Sequence, residues 1–167
     1  MSSEQETPAF EPPSPGPDHE VLRKDVGVWD ATVELRMAPG GPPQVSSGVA
    51  KNRLACGGRW LVSDFVNETT GFEGHGVYGY DPRKGSYVGT WVDPMRTFLA
   101  VGVGTWDAAT RTMTFVIEAE LPHGPMRWRE TTETRDADTQ VFRSFMPLPG
   151  GGEHEVMTVT YRRRRDG

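Results

Sequence analysis

The segment Gly74-His75-Gly76-Val77-Tyr78-Gly79-Tyr80-Asp81-Pro82-Arg83-Lys84-Gly85-Ser86-Tyr87-Val88-Gly89-Thr90-Trp91-Val92-Asp93 decides the fold. Two runs rich in aromatic and β-branched residues flank Asp-Pro-Arg-Lys-Gly, in which Asp and Pro start a turn and Gly accepts the left-handed backbone that ends it. The reading is a hairpin with strands over 74–81 and 86–93. Outward from it the same pattern repeats, with breakers at Pro39–Pro43, Gly57-Gly58, Asp93-Pro94, Asp107–Thr110, Pro122–Pro125 and Pro147–Gly152. Their spacing is that of a strand meander. The predicted strands are 28–37, 46–56, 59–68, 74–81, 86–93, 96–105, 111–120, 126–136, 139–146 and 154–163. Short connections favour antiparallel neighbours, and this many strands must close or split into two sheets. The expected fold is all-β, a meander barrel of about ten strands, wide enough to leave interior room for a small ligand.

One short helix precedes the strands. Asp18 reads as its N-cap, 19–26 as its body with Val21, Leu22 and Val26 on one face, and Gly27 as its stop. It would cover one end of a barrel. Residues 1–17 hold Pro8, Pro12, Pro13, Pro15 and Pro17 among acidic and small residues, a composition that buries too little apolar surface to offset ordering. They read as a flexible leader, with 18–165 as a single barrel domain.

A net charge of −5 argues against a nucleic-acid binder, which needs a clustered basic surface. The run Arg162–Arg165 reads as the solubilised end of a last strand. A lone cysteine, Cys56, excludes an internal disulfide and suits a reducing compartment. The start Met1–Glu6 lacks the basic and apolar regions of a signal peptide, and no apolar run reaches the roughly 20 residues of a membrane helix. The expectation is a cytoplasmic protein with neither nucleic-acid nor membrane partners.

Gly27-Val28-Trp29 opens the first strand and Tyr161-Arg162-Arg163 ends the last. In a closed barrel these strands are neighbours, so the Trp can pack beneath a terminal Arg. The pairing resembles the signature of calycin barrels, the group that includes lipocalins and fatty-acid-binding proteins. Gly58–Val62, the block Gly79–Met95 and Met157–Arg163 resemble a bacterial family, domain of unknown function 1579, from about Asp18 to Arg164. Members often carry Ser where this chain has Pro94. The resemblance implies a lipocalin-like barrel and no established reaction.

Strand alternation assigns faces to the residues that could carry chemistry. In 126–136, Arg127, Arg129, Glu133 and Arg135 share one parity and must face out, so Trp128 and Glu130 face in. In 59–68, Trp60, Val62, Asp64 and Val66 share a parity, which makes Asp64 a second interior carboxylate. A buried carboxylate needs a cation, a hydrogen-bond network or a proton, and Arg53, His75 and Arg96 are candidate partners. The predicted ligand-binding set is Arg53, Trp60, Asp64, His75, Tyr80, Trp91, Trp128 and Glu130. Catalytic candidates are Glu130, His75 and Asp64. No zinc motif and no phosphate loop appears, so no metal and no cofactor is expected, although His75 and His154 are the two strand histidines that could serve as axial ligands to haem.

Three functions fit this pattern. The first is binding of a small hydrophobic or amphipathic molecule inside the barrel. The second is a cofactor-independent isomerase, cyclase or hydrolase using an interior carboxyl and His, where orientation alone accelerates a rearrangement. The third is a structural or oligomerising module, with a homodimer as its simplest form.

Overall fold

Each predicted turn reverses the chain onto its predecessor, and the result is a ring of ten antiparallel strands. A computed structural model describes residues 11–165. The elements are α1 (Pro17–Arg23), β1 (Gly27–Leu35), β2 (Gln44–Ala55), β3 (Trp60–Asn67), β4 (Glu73–Asp81), β5 (Ser86–Val92), β6 (Ala100–Asp107), β7 (Thr112–Leu121), β8 (Gly124–Thr134), β9 (Thr139–Pro147) and β10 (Glu153–Arg163). Every strand pairs with its sequence neighbours, and β1 pairs with β10 to close the barrel. Among the described residues no helix is long and apolar enough to cross a membrane.

Two predicted elements shift. The helix begins at Pro17, one residue inside the expected leader, because Gly16 rather than Asp18 caps it: the Gly16 N–H donates to His19 Nδ1 at 3.0 Å and His19 N–H donates to the Gly16 carbonyl at 3.0 Å. The rest of the expected leader divides, with residues 1–10 outside the described residues. The second shift concerns the strand expected over 96–105, which starts only at Ala100. Pro94 removes a backbone donor, and Asp93 turns the chain by accepting the Met95 N–H at 2.9 Å. Residues 93–99 therefore form a loop at one end of the barrel.

α1 covers the opposite, closed end, and the end that carries this loop, which has no helix over it among the described residues, is termed the open end. At the closed end α1 packs on β3 and β4, and its buried Leu22 meets Leu61, Tyr87 and Met113. Trp29, the most buried large side chain, lies beneath Arg163, whose guanidinium carbon is 4.1 Å from the indole centre. The same Arg163 donates to the carbonyls of Lys24 and Val26, fulfilling the packing expected from the two ends of the sequence. Asp25 supplies its carbonyl to Trp29 Nε1 and to Asn52 Nδ2, each at 2.9 Å, and its carboxylate to Gln140 Nε2 at 2.6 Å. Lys24 Nζ sits 4.5 Å from the Trp106 ring centre. The plug leaves Asn52 Oδ1 and Thr134 Oγ1 without partners.

Aromatic rings fill the inner wall of β4–β6 by lying flat on glycines. A Cβ at Gly74 would sit 2.1 Å from the Trp91 ring, and one at Gly104 would sit 2.6 Å from the Phe115 ring. Both glycines are buried and face inward, so a small wall residue makes space for a large one on the neighbouring strand.

The outer wall is split in character. Around β8–β10, Arg129 pairs with Glu153, Arg143 with Glu133, and Arg36 with Glu34 and Glu155. Around β3–β6 the outward residues include Val62, Val77, Val88, Thr90, Val101 and Val103, in register across the strands. Val77, Val101 and Val103 are exposed. The usual apolar-in, polar-out alternation therefore fails on this side.

Candidate functional site

The open end is walled by the apolar cluster of Ala100, Ile117 and Trp128, with Trp91, Phe98, Ala119, Met126 and Met146 packed against it. A depression of about 390 Å³ opens at the β7–β8 tip, lined by Ala119 and Met126 from the inner wall together with Glu118, Glu120, Pro125 and Arg127. Below this rim stands Glu130. It pairs in register with Phe115 on one side and Ser144 on the other, and its Oε1 accepts the Trp128 indole N–H at 3.0 Å. Burial raises its pKa above the ordinary carboxyl value, opposed by the Trp128 hydrogen bond and the charge of Arg96. Its carboxyl is thereby held toward the neutral form.

Two phenols share this interior. Tyr78 and Tyr161 both face inward, and burial, reinforced by the charge of Glu130, pushes their pKa values far up. Both remain protonated donors at any physiological pH. Tyr78 also packs on Phe115, with ring centres 5.7 Å apart.

The mouth carries an anchored cation. Asp93 accepts the Trp91 indole N–H at 3.1 Å and holds Arg96 through an Nε contact of 3.2 Å. The Asp93 side chain is 2% exposed, whereas Arg96 is 29% exposed. The guanidinium carbon is 5.6 Å from the Phe98 centre and 5.9 Å from the Trp128 centre, within the range of cation–π attraction. Of the predicted cations, Arg96 is the one whose charge acts on Glu130.

His154 is the other polar group at this end. β10 carries a bulge between Glu155 and Met157, so that His154 pairs with Met146 while Met157 pairs with Ser144. The extra residue resets the alternation, which aims His154 at the inner wall beside Met146 instead of outward with Thr158. Its Nε2 is buried and has no hydrogen-bond partner.

Several predicted site residues lie elsewhere. Asp64 and His75 face outward and pair with each other at 2.7 Å, both about half exposed. The parity chosen for 59–68 is reversed, because Leu61, Ser63, Phe65 and Asn67 line the interior, with Leu61, Phe65 and Asn67 buried. Arg53 pairs with Val62 and is exposed on the same outer face. Trp60 is also outside, its ring covering Gly79. Tyr80 faces inward, but at the closed end, edge-on to Tyr87 with ring centres 5.0 Å apart. Of the predicted residues, Trp91, Trp128 and Glu130 meet at the open end. The carboxyl–His pairing imagined for acid–base chemistry is divided between inside and outside, and of the two histidines considered for haem only His154 points in. Cys56 is exposed, and among the described residues no three His, Cys, Asp or Glu side chains gather as metal ligands.

The comparison with known families turns on the strand blocks already described. A family model described as a protein of unknown function, DUF1579, matches residues 14–163. The chain belongs to this family. DUF1579 membership spans the helix and the whole barrel, so the open-end residues lie within the matched region. No curated protein matches the chain. Among solved structures, the crystal structure of Rv2717c from M. tuberculosis is similar, with a TM-score of 0.65 at 14% identity, covering 90% of this chain and 99% of that one. It is a likeness of fold. A redesigned beta barrel aligns over 92% of this chain and 100% of its own, with 14% identity and a TM-score of 0.38.

Proposed function

We propose that this DUF1579 protein binds a small, largely apolar molecule in the open half of its barrel. The observation that carries the reading is Glu130, a carboxyl buried on the inner wall beneath an apolar rim and held by a single indole N–H. Burying such a group costs several kcal/mol unless a partner, a proton or a ligand compensates it, which makes it the natural polar contact for a bound molecule. Pockets of this type combine apolar walls with a few polar groups, and the reading is supported by Ile117, Met126, Trp128 and Met146 clustering on the inner wall near Glu130.

The test is a titration with the neutral fluorescent probe N-phenylnaphthylamine, followed by quenching of tryptophan emission from Trp91 and Trp128. Saturable binding to the natural protein, lost in Ala119→Trp where the new indole occupies the rim, is the expected result. Absence of binding to the natural protein, or undiminished binding in the blocked variant, overturns the reading.

Self-association is a second reading, favoured by the valine face of β3–β6. Spanning β3 to β7 in register with Val116, the face measures about 20 Å across and about 14 Å along the strands, from the 4.8 Å strand spacing and 3.4 Å rise. That is about a third of the roughly 800 Å² each partner contributes to a standard interface, enough for an apolar centre within a polar rim. The row Trp60, Gly79, Val88, Val103 and Val116 is uncharged and the next row carries a charge only at its β7 end, Glu118, so the valines can meet a copy of themselves about a twofold axis. Light scattering of the natural protein and of Val101→Lys distinguishes the cases: a dimer that the lysine dissociates supports it, and a monomer rejects it.

A further inference from the structure

The connectors between strands fall into two sets, because each strand runs antiparallel to the next. Residues 56–59, 82–85, 108–111 and 135–138 turn at the closed end, and 36–43, 68–72, 93–99, 122–123 and 148–152 turn at the open end. Each closed-end connector carries charge, from the single Arg59 or Arg111 to the Arg135, Asp136 and Asp138 of the last. Among the described residues none of these four bears an exposed large apolar side chain. The open end is the reverse. Beyond the first residues of its connectors, where Arg36, Glu68 and Asp93 stand, the only formal charge is Arg96. Its tips are built from proline and glycine together with Met37, Met95, Leu99 and Leu148, all four exposed, Met37 at 76% and Met95 at 78%. Leu35 and Val45 add exposed apolar surface where β1 and β2 meet the first tip.

We propose that the open end of the barrel docks on a lipid surface of zwitterionic headgroups, with Met37, Met95, Leu99 and Leu148 entering the layer and the outer wall below them staying at headgroup level. Apolar side chains gathered at one end mark an interaction surface, unlike the singly scattered ones of an ordinary exterior. Two observations choose a lipid layer over a protein. First, the tips stand apart, Met37 and Leu148 on neighbouring connectors and Met95 and Leu99 across the ring from them. A protein partner needs one close-packed patch, whereas a fluid layer accepts each tip by itself, and unbranched methionine adapts to it. Second, the wall below the tips carries its charge as pairs of opposite sign: Arg36 with Glu34 and Glu155, Arg127 with Glu118, and Arg129 with Glu153. Such a collar offers partners to both the phosphate and the ammonium of a zwitterionic headgroup. A net charge of −5 disfavours an anionic surface, so attachment comes from buried apolar area. A contact of this kind needs no membrane-spanning helix. It departs from the expectation of no membrane partner, which follows only from the lack of a spanning run, and it is independent of what the barrel encloses.

Sedimentation of the full-length protein with phosphatidylcholine vesicles tests the docking. The natural protein is expected to co-sediment, with partitioning that changes by less than about twofold between about 0.1 M and about 0.5 M salt, where exposed charges are screened. Met37→Asp and Met95→Asp should each lower partitioning at least about tenfold while the urea midpoint stays unchanged, as for other exposed substitutions. Ala108→Asp adds the same charge at the closed end and should partition as the natural protein does. No co-sedimentation of the natural protein overturns the proposal. So does an equal loss in Ala108→Asp, which traces attachment to overall charge. Attachment only to vesicles containing phosphatidylglycerol, abolished by salt, overturns it in favour of adsorption through arginines. An oligomer in light scattering that Met95→Asp dissociates, without vesicle binding, assigns the rim to a second copy instead. The lipid and salt dependence of the natural protein stands even if a variant folds poorly.

Discussion

Asp25 at the closed end and Glu130 at the open end are both carboxyls in the barrel whose pKa values burial raises, yet their surroundings differ. Asp25 is met by Lys24 and Gln140, and its own carbonyl holds Trp29 and Asn52. Glu130 has one indole, with Arg96 acting from a distance. At the closed end a buried charge is built into a hydrogen-bonded plug. At the open end the carboxyl stands in an apolar wall, and His154 Nε2 at the same end has no partner. A buried polar group that the chain satisfies contributes rigidity, and one that it leaves short of partners is stabilised by what binds it.

If the closed end carries stability, the largest loss should come from its centre. Trp29→Ala is expected to destabilise by about 3–5 kcal/mol, the cost of deleting a fully buried aromatic and leaving a cavity. Urea unfolding measures it, and a loss below about 1 kcal/mol would break the contrast between the ends. Next comes Gly104→Val on the inner wall, expected to cost about 1–3 kcal/mol in the same assay because its side chain collides with Phe115.

Glu130→Gln sharpens the comparison through pH. A carboxyl with a raised folded pKa binds more protons folded than unfolded, so the stability it contributes is full below the unfolded value and lost as pH rises through the folded one. Stability of the natural protein should therefore fall, above the ordinary carboxyl value of 4.5, relative to Glu130→Gln, which keeps an acceptor for Trp128. Denaturation series at several pH values test this, and parallel curves would show that Glu130 is compensated after all. The smallest effect is expected outside: His75→Ala removes a half-exposed hydrogen bond to Asp64 and should change stability by less than about 0.5 kcal/mol. It should leave probe binding untouched.

How far the sequence could be read depended on the outer wall. In β8 the set Arg127, Arg129, Glu133 and Arg135 marks the outside, and Glu130 follows inward without ambiguity. In β3 the outer parity, with Trp60, Val62 and Val66, is more apolar than the inner one, with Leu61 and Phe65, because the outer face of β3–β6 is built from valines, so alternation points Asp64 the wrong way. The glycines did carry a signal: Gly74 with Gly76, and Gly102 with Gly104, recur on one parity and mark the inner face. His154 was illegible for another reason. Its direction depends on a bulge, a mismatch between β9 and β10 that belongs to the pairing and to neither strand alone. Arg96 was named as a partner for an interior acid but assigned to a strand, since the turn made by Asp93 is a side-chain event that periodicity does not register.

The seam between β1 and β10 also governs the order in which the barrel can be made. Trp29 meets Arg163 and Leu35 meets Met157 across it, so a ribosome must deliver nearly the whole domain before the ring can shut. Until then β1 and the latest strand each offer an unpaired ladder to any neighbouring polypeptide. Assembly of this chain is therefore expected to be slow, as contacts between distant positions demand, and most exposed to mispairing in the interval just before its final strand emerges.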